Sequence, residues 1–337
     1  MNSDDKNFPQ ITIIIPVYNV SEYIEKCVDS VLLSNISDCE ILLIDDGSTD
    51  GKSGALCDVL AQRNPKNIRV IHQENKGLGG ARNTGIKESR GEYLVFLDSD
   101  DTLASGAIDV LKTSIEKSTA DIIAFNMKTD DGNGNGEITK ANYFESDKSF
   151  ALQSEPEYLL SLPSACCRVW KKSLFIENDI WFPERVWYED IRTTSKLFAV
   201  AKSIYTIEDV LYIYFQREGS IMRSDNVGRN HEIIDAFDDI LNWFKKEGVF
   251  EMYSEVLCGL CMEHLYMAAS VRVLEVDVKH PLLQQFAKYM DKEFPEYRKN
   301  RYFDRFSKLR KLVFYLLEMK QYELLRLLFN LKNRERR

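Results

Sequence analysis

The first hundred residues alternate between short apolar runs and amphipathic stretches. Ile11 to Ile15, Glu40 to Ile44, Ile68 to Ile71 and Tyr93 to Leu97 have the length and β-branched content of buried strands. Between them, apolar residues recur at helical steps. Ile24, Val28, Val31 and Leu32 predict one helix, with Ser21 placed to cap it. Ser53 to Arg63 and Gly80 to Glu88 predict two more. Ser105 to Lys117 predicts a fourth, and Asp121 to Asn126 the strand after it. Strands alternating with helices imply an α/β fold, a Rossmann-like, mostly parallel sheet with helices on both faces. In such sheets ligands bind beyond the carboxyl ends of the strands. The polar clusters Tyr18-Asn19, Asp45-Asp46 and Asp98 to Asp101 fall at those ends.

The alternation breaks after Lys128. Asp131 to Gly136 is dense in turn residues and reads as a hairpin tip. It matches the start of a calcium loop, but the twelfth position is Asn142 where the loop requires Glu, so the turn reading is preferred. A helix near Asp190 to Ala201 and a strand from Val210 to Phe215 follow. From about Asn230 helical periodicity takes over, with Ile233, Ile234, Phe237, Ile240, Leu241 and Phe244 at helical spacings.

Composition narrows the function classes. The formal net charge of −9 argues against a nucleic-acid binder, which needs a basic surface. Hydrophobic residues at 44% are enough for a real core. The polar start from Met1 to Gln10 lacks the parts of a signal peptide, and no apolar run is expected to span a bilayer. Seven scattered cysteines fit a reduced, cytoplasmic setting, and Cys258-Gly259-Leu260-Cys261 reads as two buried helix thiols. The last forty residues reverse the charge, with thirteen Lys and Arg against four Asp and Glu, interleaved with leucine and phenylalanine. This basic amphipathic tail is compatible with a helical hairpin packed on the domain, with an anionic membrane surface, or with a partner protein.

The chemistry concentrates at the strand ends. Asp98-Ser99-Asp100-Asp101 suits a hard divalent cation shared with a diphosphate, or a solvated acidic turn. In Asp45-Asp46-Gly47-Ser48-Thr49-Asp50 one carboxylate has the chemistry to accept from a ribose hydroxyl or a base N–H, or the run is a capped turn starting at Asp50 or Ser53. Lys76 to Arg82 imitates a dinucleotide loop, but Arg82 stands where that pattern wants glycine, and it follows the third strand.

Together these runs resemble a family 2 glycosyltransferase with the GT-A fold. The residues that carry the resemblance are Ile13 to Asn19, Ile44 to Asp50, Gly80 to Gly85 and Gly91 to Asp101, with a weaker continuation through Trp187 to Asp190 and Arg217 to Ile221. The resemblance implies a catalytic domain over residues 1–228, with a donor half to about 126 and an acceptor half from about 127, while helical periodicity sets 229–337 apart as a helical region that the resemblance does not cover. It implies a nucleotide-sugar donor, a UDP-sugar, held by Pro16, Val17, Tyr18, Asp46, Asn75, Arg82 and Asp98. Asp100 is implied as the ligand of Mn²⁺ or Mg²⁺, and Asp190 as the inverting base beside Glu189. Arg217 and Ser220 are implied to close over the diphosphate, although Arg217 also reads as a surface ion pair and Asp190 as a helix cap. The acceptor is implied to be a saccharide or lipid-linked saccharide in surface-polysaccharide synthesis, with no nucleic acid involved. Such an enzyme would sit in the cytoplasm, peripheral on the inner face of the plasma membrane. A non-catalytic nucleotide-sugar-binding or assembly protein on the same fold is the alternative.

Overall fold

The computed structural model describes residues 8–132, 136–140, 147–216 and 227–335. The chain divides into two compact units, Met1–Glu218 and Gly219–Arg337.

The first unit opens with β1 (Ile11–Val17), α1 (Ile24–Leu32), β2 (Cys39–Asp45), α2 (Ser53–Arg63), β3 (Ile68–His72), α3 (Gly77–Glu88) and β4 (Tyr93–Phe96). Every residue of β1, β2 and β4 is buried, which is why these runs are unbroken rather than alternating. β5 (Thr102–Leu103), α4 (Ala107–Ser118), β6 (Ile122–Asp130), β7 (Ile138–Thr139) and β8 (Lys148–Phe150) follow. β9 (Arg168–Lys171), α5 (Lys172–Glu177), α6 (Glu189–Val200) and β10 (Ile204–Phe215) complete the unit.

The strands form one sheet in the order β3-β2-β1-β4-β9-β6-β10-β5. The first four run parallel, as the alternation implies. β9 then enters antiparallel between β4 and β6, so the sheet is mixed from its middle outward. β1 is the switch strand, with β2 on one side and β4 on the other. β4 pairs β1 only as far as Ile14, whereas β2 continues to Val17. The two strands therefore part at the carboxyl edge. Pro16, which has no N–H to give a ladder, lies beyond the end of the pairing with β4.

Several expectations shift. Ser21 does not cap α1; Tyr23 precedes the helix and no side chain caps it. Val20 instead donates its N–H to Ser53 Oγ at 2.9 Å, tying this corner to α2. α3 begins at Gly77, three residues early, and β10 begins at Ile204, ahead of an irregularity between Thr206 and Val210. β6 and β7 pair antiparallel, as a hairpin requires. Asn133 to Asn135 and Asn142 lie outside the described residues.

The second unit holds α7 (Glu232–Lys246), α8 (Phe250–Cys261), a π-helical stretch (Met262–Ala269), α9 (Ser270–Val276), α10 (Leu282–Glu293), α11 (Lys308–Glu318) and α12 (Tyr322–Glu335). The run Phe250–Val276 is long and apolar enough to cross a membrane, which corrects the expectation that no segment is. Of its most apolar window 72% is buried, the pattern of a core helix. All seven cysteines are unpaired and buried, Cys258 and Cys261 among them.

Candidate active site

The ends of β1 and β2 are joined by Asn19. Its side-chain oxygen accepts from the Thr49 and Asp50 N–H groups at 2.8 and 3.1 Å, from a left-handed backbone with φ of 52°. Tyr18 beside it is 47% exposed, with its ring at the open edge, while Pro16 and Val17 are buried beneath. Asp50 accepts from the Lys52 and Ser53 N–H groups and holds the start of α2, so the capped turn is real and belongs to Asp50.

The adjacent aspartates differ in role. Asp45 is a structural acid. Its carboxylate accepts from Ser48 N–H at 3.1 Å and bonds His72 Nδ1 at 2.8 Å. Burial acts to raise its pKa, but the bonds from Ser48 and His72 outweigh it and hold the group below the usual value. Asp46 is 3% exposed, and its Oδ1 accepts from Gln73 Nε2 at 2.6 Å and Lys76 N–H at 2.8 Å. Asn75 donates to the Asp46 carbonyl at 3.0 Å. Gln73 therefore fixes the Asp46 carboxylate, a role no local pattern announces.

Arg82 is the centre of the site. It stands on α3, 1% exposed, with its guanidinium beside the rings of Phe182 and Phe96, which pack edge-on against each other. Nη1 donates to Asp190 Oδ1 at 2.5 Å and to Glu189 Oε1 at 3.2 Å. Nη2 donates to Asp98 Oδ1 at 3.1 Å. One guanidinium thus draws together the end of β4 and the start of α6. Asp190 Oδ2 also accepts from Ala165 N–H at 3.2 Å. The cap position of α6 belongs to Tyr188, in a left-handed conformation with φ of 64°. Neither Glu189 nor Asp190 caps the helix, which removes the cap reading of Asp190. Burial, with Asp190 beside it, pushes the Glu189 carboxyl upward against the pull of Arg82. The side chains of Asp98 and Asp190 keep 31% and 24% exposure, so the cluster opens on one side.

Arg168 props the neighbouring loop. Wholly buried, it donates to Ser164 O at 2.7 Å and Ser161 Oγ at 3.0 Å. That loop presents Ala165 N–H to Asp190 and places Cys166 Sγ 3.9 Å from Arg82.

The acidic run at the end of β4 divides its labour. Asp98 faces Arg82. Asp101 is 1% exposed, takes the Tyr212 hydroxyl at Oδ2 and the Phe215 N–H at Oδ1 (2.7 Å), and so locks the end of β10 to this loop. Asp100 lines a cavity of about 220 Å³ with Glu22, Lys26, Asp130 and Phe215. Among the described residues no three His, Cys, Asp or Glu side chains form a complete metal cage. Asp98 faces Arg82 and does not line this cavity, so what suits a Mg²⁺- or Mn²⁺-type ion, with its remaining ligands from water and a diphosphate, is the carboxylate that Asp100 places at the wall.

Asp101 carries a pH prediction. Burial and the charge of Asp98 raise its pKa to about 8, against the opposing bond from Tyr212. The native carboxyl holds its proton across a range where the unfolded one, titrating near 3.9, has lost it. Stability should therefore fall as pH rises from about 4 to about 8, at no more than about 1.4 kcal/mol per pH unit from this group. Asp101→Asn mimics the protonated form and should flatten that slope in urea titrations taken across this range. An unchanged slope would place the titration elsewhere.

The site therefore joins acidic groups at the strand ends of a sheet ordered 3-2-1-4 to a second carboxylate pair delivered from a later helix. Residues 12–178 match the Glycosyl transferase family 2 domain. The chain is 31% identical over 240 residues to glycosyltransferase GlyG of Streptococcus pneumoniae serotype 4, covering 67% of this chain and 78% of that one. It is also 31% identical to the poly(ribitol-phosphate) beta-glucosyltransferase of Bacillus spizizenii, covering 72% of this chain and 38% of that one. Among solved structures, S. aureus TarS residues 1–349 in complex with UDP-GlcNAc superposes with a TM-score of 0.71 at 23% identity, over 94% of this chain and 89% of that one. The chain belongs to glycosyltransferase family 2. Arg217 and Ser220 lie outside the described residues.

Proposed function

We propose that this glycosyltransferase moves a sugar from a UDP-sugar to a hydroxyl of a saccharide or lipid-linked saccharide acceptor, inverting the anomeric carbon, in surface-polysaccharide synthesis. The observation that carries the reading is the Arg82 junction, which brings the helix-borne Asp190 to the donor-side Asp98. Asp190 takes the proton of the acceptor hydroxyl. The acceptor oxygen bonds the anomeric carbon from the face opposite the diphosphate, and the bond to the phosphate oxygen breaks. No covalent enzyme intermediate is needed. Glu189, half-buried beside Asp190 and bonded to the same guanidinium, supports it.

The exposed Tyr18 ring suits stacking on a base, and Asp46 is fixed to accept a base N–H, the donor that uracil offers. Pro16 and Val17 floor that edge and Asn75 borders it. Arg217 and Ser220 are assigned, by family resemblance alone, to the diphosphate. Asp100 would hold Mn²⁺ or Mg²⁺, which would offset the charge gathering on the departing diphosphate. The UDP-GlcNAc in the TarS complex and the polymer named for the Bacillus relative support the donor and acceptor classes. The enzyme would work in the cytoplasm, at the inner face of the plasma membrane.

Calorimetry with UDP tests the donor half of this reading. Wild type is expected to bind UDP more tightly with Mn²⁺ present, and Asp100→Ala to lose that gain. Absence of UDP binding with or without metal would overturn the assignment, and GDP would be titrated next.

A further inference from the structure

Helices α11 and α12 carry two apolar faces where packing needs one. Val313, Phe314, Leu316, Leu317 and Leu325 are buried and account for the attachment of the pair to its own unit. Leu309, Leu312, Tyr315, Met319, Leu324 and Leu327 form a second set, each 43–58% exposed. Along α11 and its C-cap residue Met319 this outer set recurs at steps of three and four residues, with Leu309 and Leu312 bordering the apolar recess between the two helices. Six of the fifteen exposed large apolar side chains among the described residues fall within these nineteen positions. Single exposed leucines are ordinary, but a stripe of this kind marks a surface that meets something apolar.

We propose that the outer faces of α11 and α12 form a docking surface for an anionic phospholipid bilayer. The charges choose the occupant. Lys308, Lys320 and Arg326 flank the stripe and have no acidic partner among the described residues. Arg310 and Lys311 are engaged by Glu263 and Asp304. Glu318 is withdrawn by Arg298, Tyr266 and Tyr297, which leaves Glu323 and, at the far end of α12, Glu335 as the acids of the two helices. A second copy of the chain would set this positive collar against itself. An anionic headgroup layer neutralises it while the acyl boundary takes up the leucines.

Vesicle flotation decides the matter without donor or acceptor, so it can fail while the transferase reading stands. The full chain should float with phosphatidylcholine vesicles that contain phosphatidylglycerol and stay below with pure phosphatidylcholine. The double variant Leu324→Asp/Leu327→Asp, at two exposed positions outside the recess between the helices, should partition at least about tenfold more weakly. Both positions are exposed, so a wild-type unfolding curve is expected of it. Lys308→Glu/Lys320→Glu should weaken binding by at least about fivefold per charge and reduce its salt dependence. Failure of the wild type to float with the anionic vesicles would overturn the proposal. So would unchanged flotation of the leucine variant, or a dimer in sedimentation that the leucine variant dissolves.

Discussion

Asp190→Asn is expected to lower turnover by about 10²–10⁴-fold, the usual contribution of a general base, with UDP affinity unchanged. The geometry favours a clean experiment. Oδ1 of Asp190 already accepts from Arg82 and Oδ2 from Ala165 N–H. Asparagine keeps the shape and the bond to Arg82 but cannot take a proton. Its amide nitrogen would face the Ala165 N–H, a cost small beside the loss of the base. Calorimetry and product formation read the two effects separately. Wild-type turnover in the variant would sink the assignment of the base. Lost UDP binding would show that Asp190 belongs to the donor pocket instead.

The second large effect is on the fold itself. Arg82→Met should cost about 3 kcal/mol in urea unfolding, the lower end of the range for breaking a buried ion cluster. The lower end applies because the carboxylates it leaves behind keep part of their solvent. Three acids would then stand together with no cation among them, and donor binding should weaken with the stability. Arg82→Lys keeps the charge, but a single ammonium cannot replace a planar fork spread over three carboxylates. It is expected to recover part of the stability and little of the activity. Wild-type stability for Arg82→Met would mean that the cluster holds nothing together.

The strands β1, β2 and β4 were legible because strands covered on both faces are predominantly apolar, and the partly exposed β3 was legible from its isoleucines and valine. Helix α2 was legible end to end, from Ser53 to Arg63. The start of α3 was not. Gly77 and Gly79, ahead of the predicted start at Gly80, read as a loop because glycine is a poor helix former. The structure puts them there for clearance: a Cβ on Gly79 would stand 2.2 Å from the Pro183 carbonyl oxygen. The antiparallel entry of β9 was also hidden, because chain order does not state spatial order. The early part of β10 was masked by Glu208 and Asp209, where the pairing with β6 shifts register.

The site divides the same way. The acidic clusters Asp45-Asp46 and Asp98 to Asp101 could be read from their places at strand ends, while the choice of Asp46, Asp98 and Asp100 within them came from the family resemblance. That Arg82 meets Glu189 and Asp190, 107 and 108 residues away, could not be read from spacing. Family resemblance supplied those residues, and geometry supplied the junction. Gln73 and Tyr212 had no local signal, since each acts on an acid brought near only by folding.

The close seating of α3 has a consequence for recombining such enzymes. The glycine turn packs on Pro183 and Arg185, while Asn83 exchanges hydrogen bonds with the Phe182 backbone in both directions, at 2.7 and 2.9 Å. Residues 77–83 and 182–190 are therefore one mechanical part made from two distant stretches of chain. A chimera spliced between them, taking one parent's nucleotide side and another's acceptor side, would inherit mismatched halves of that part. Exchanging both stretches together should preserve the alignment of Glu189 and Asp190 with Arg82, whatever the rest of the graft brings.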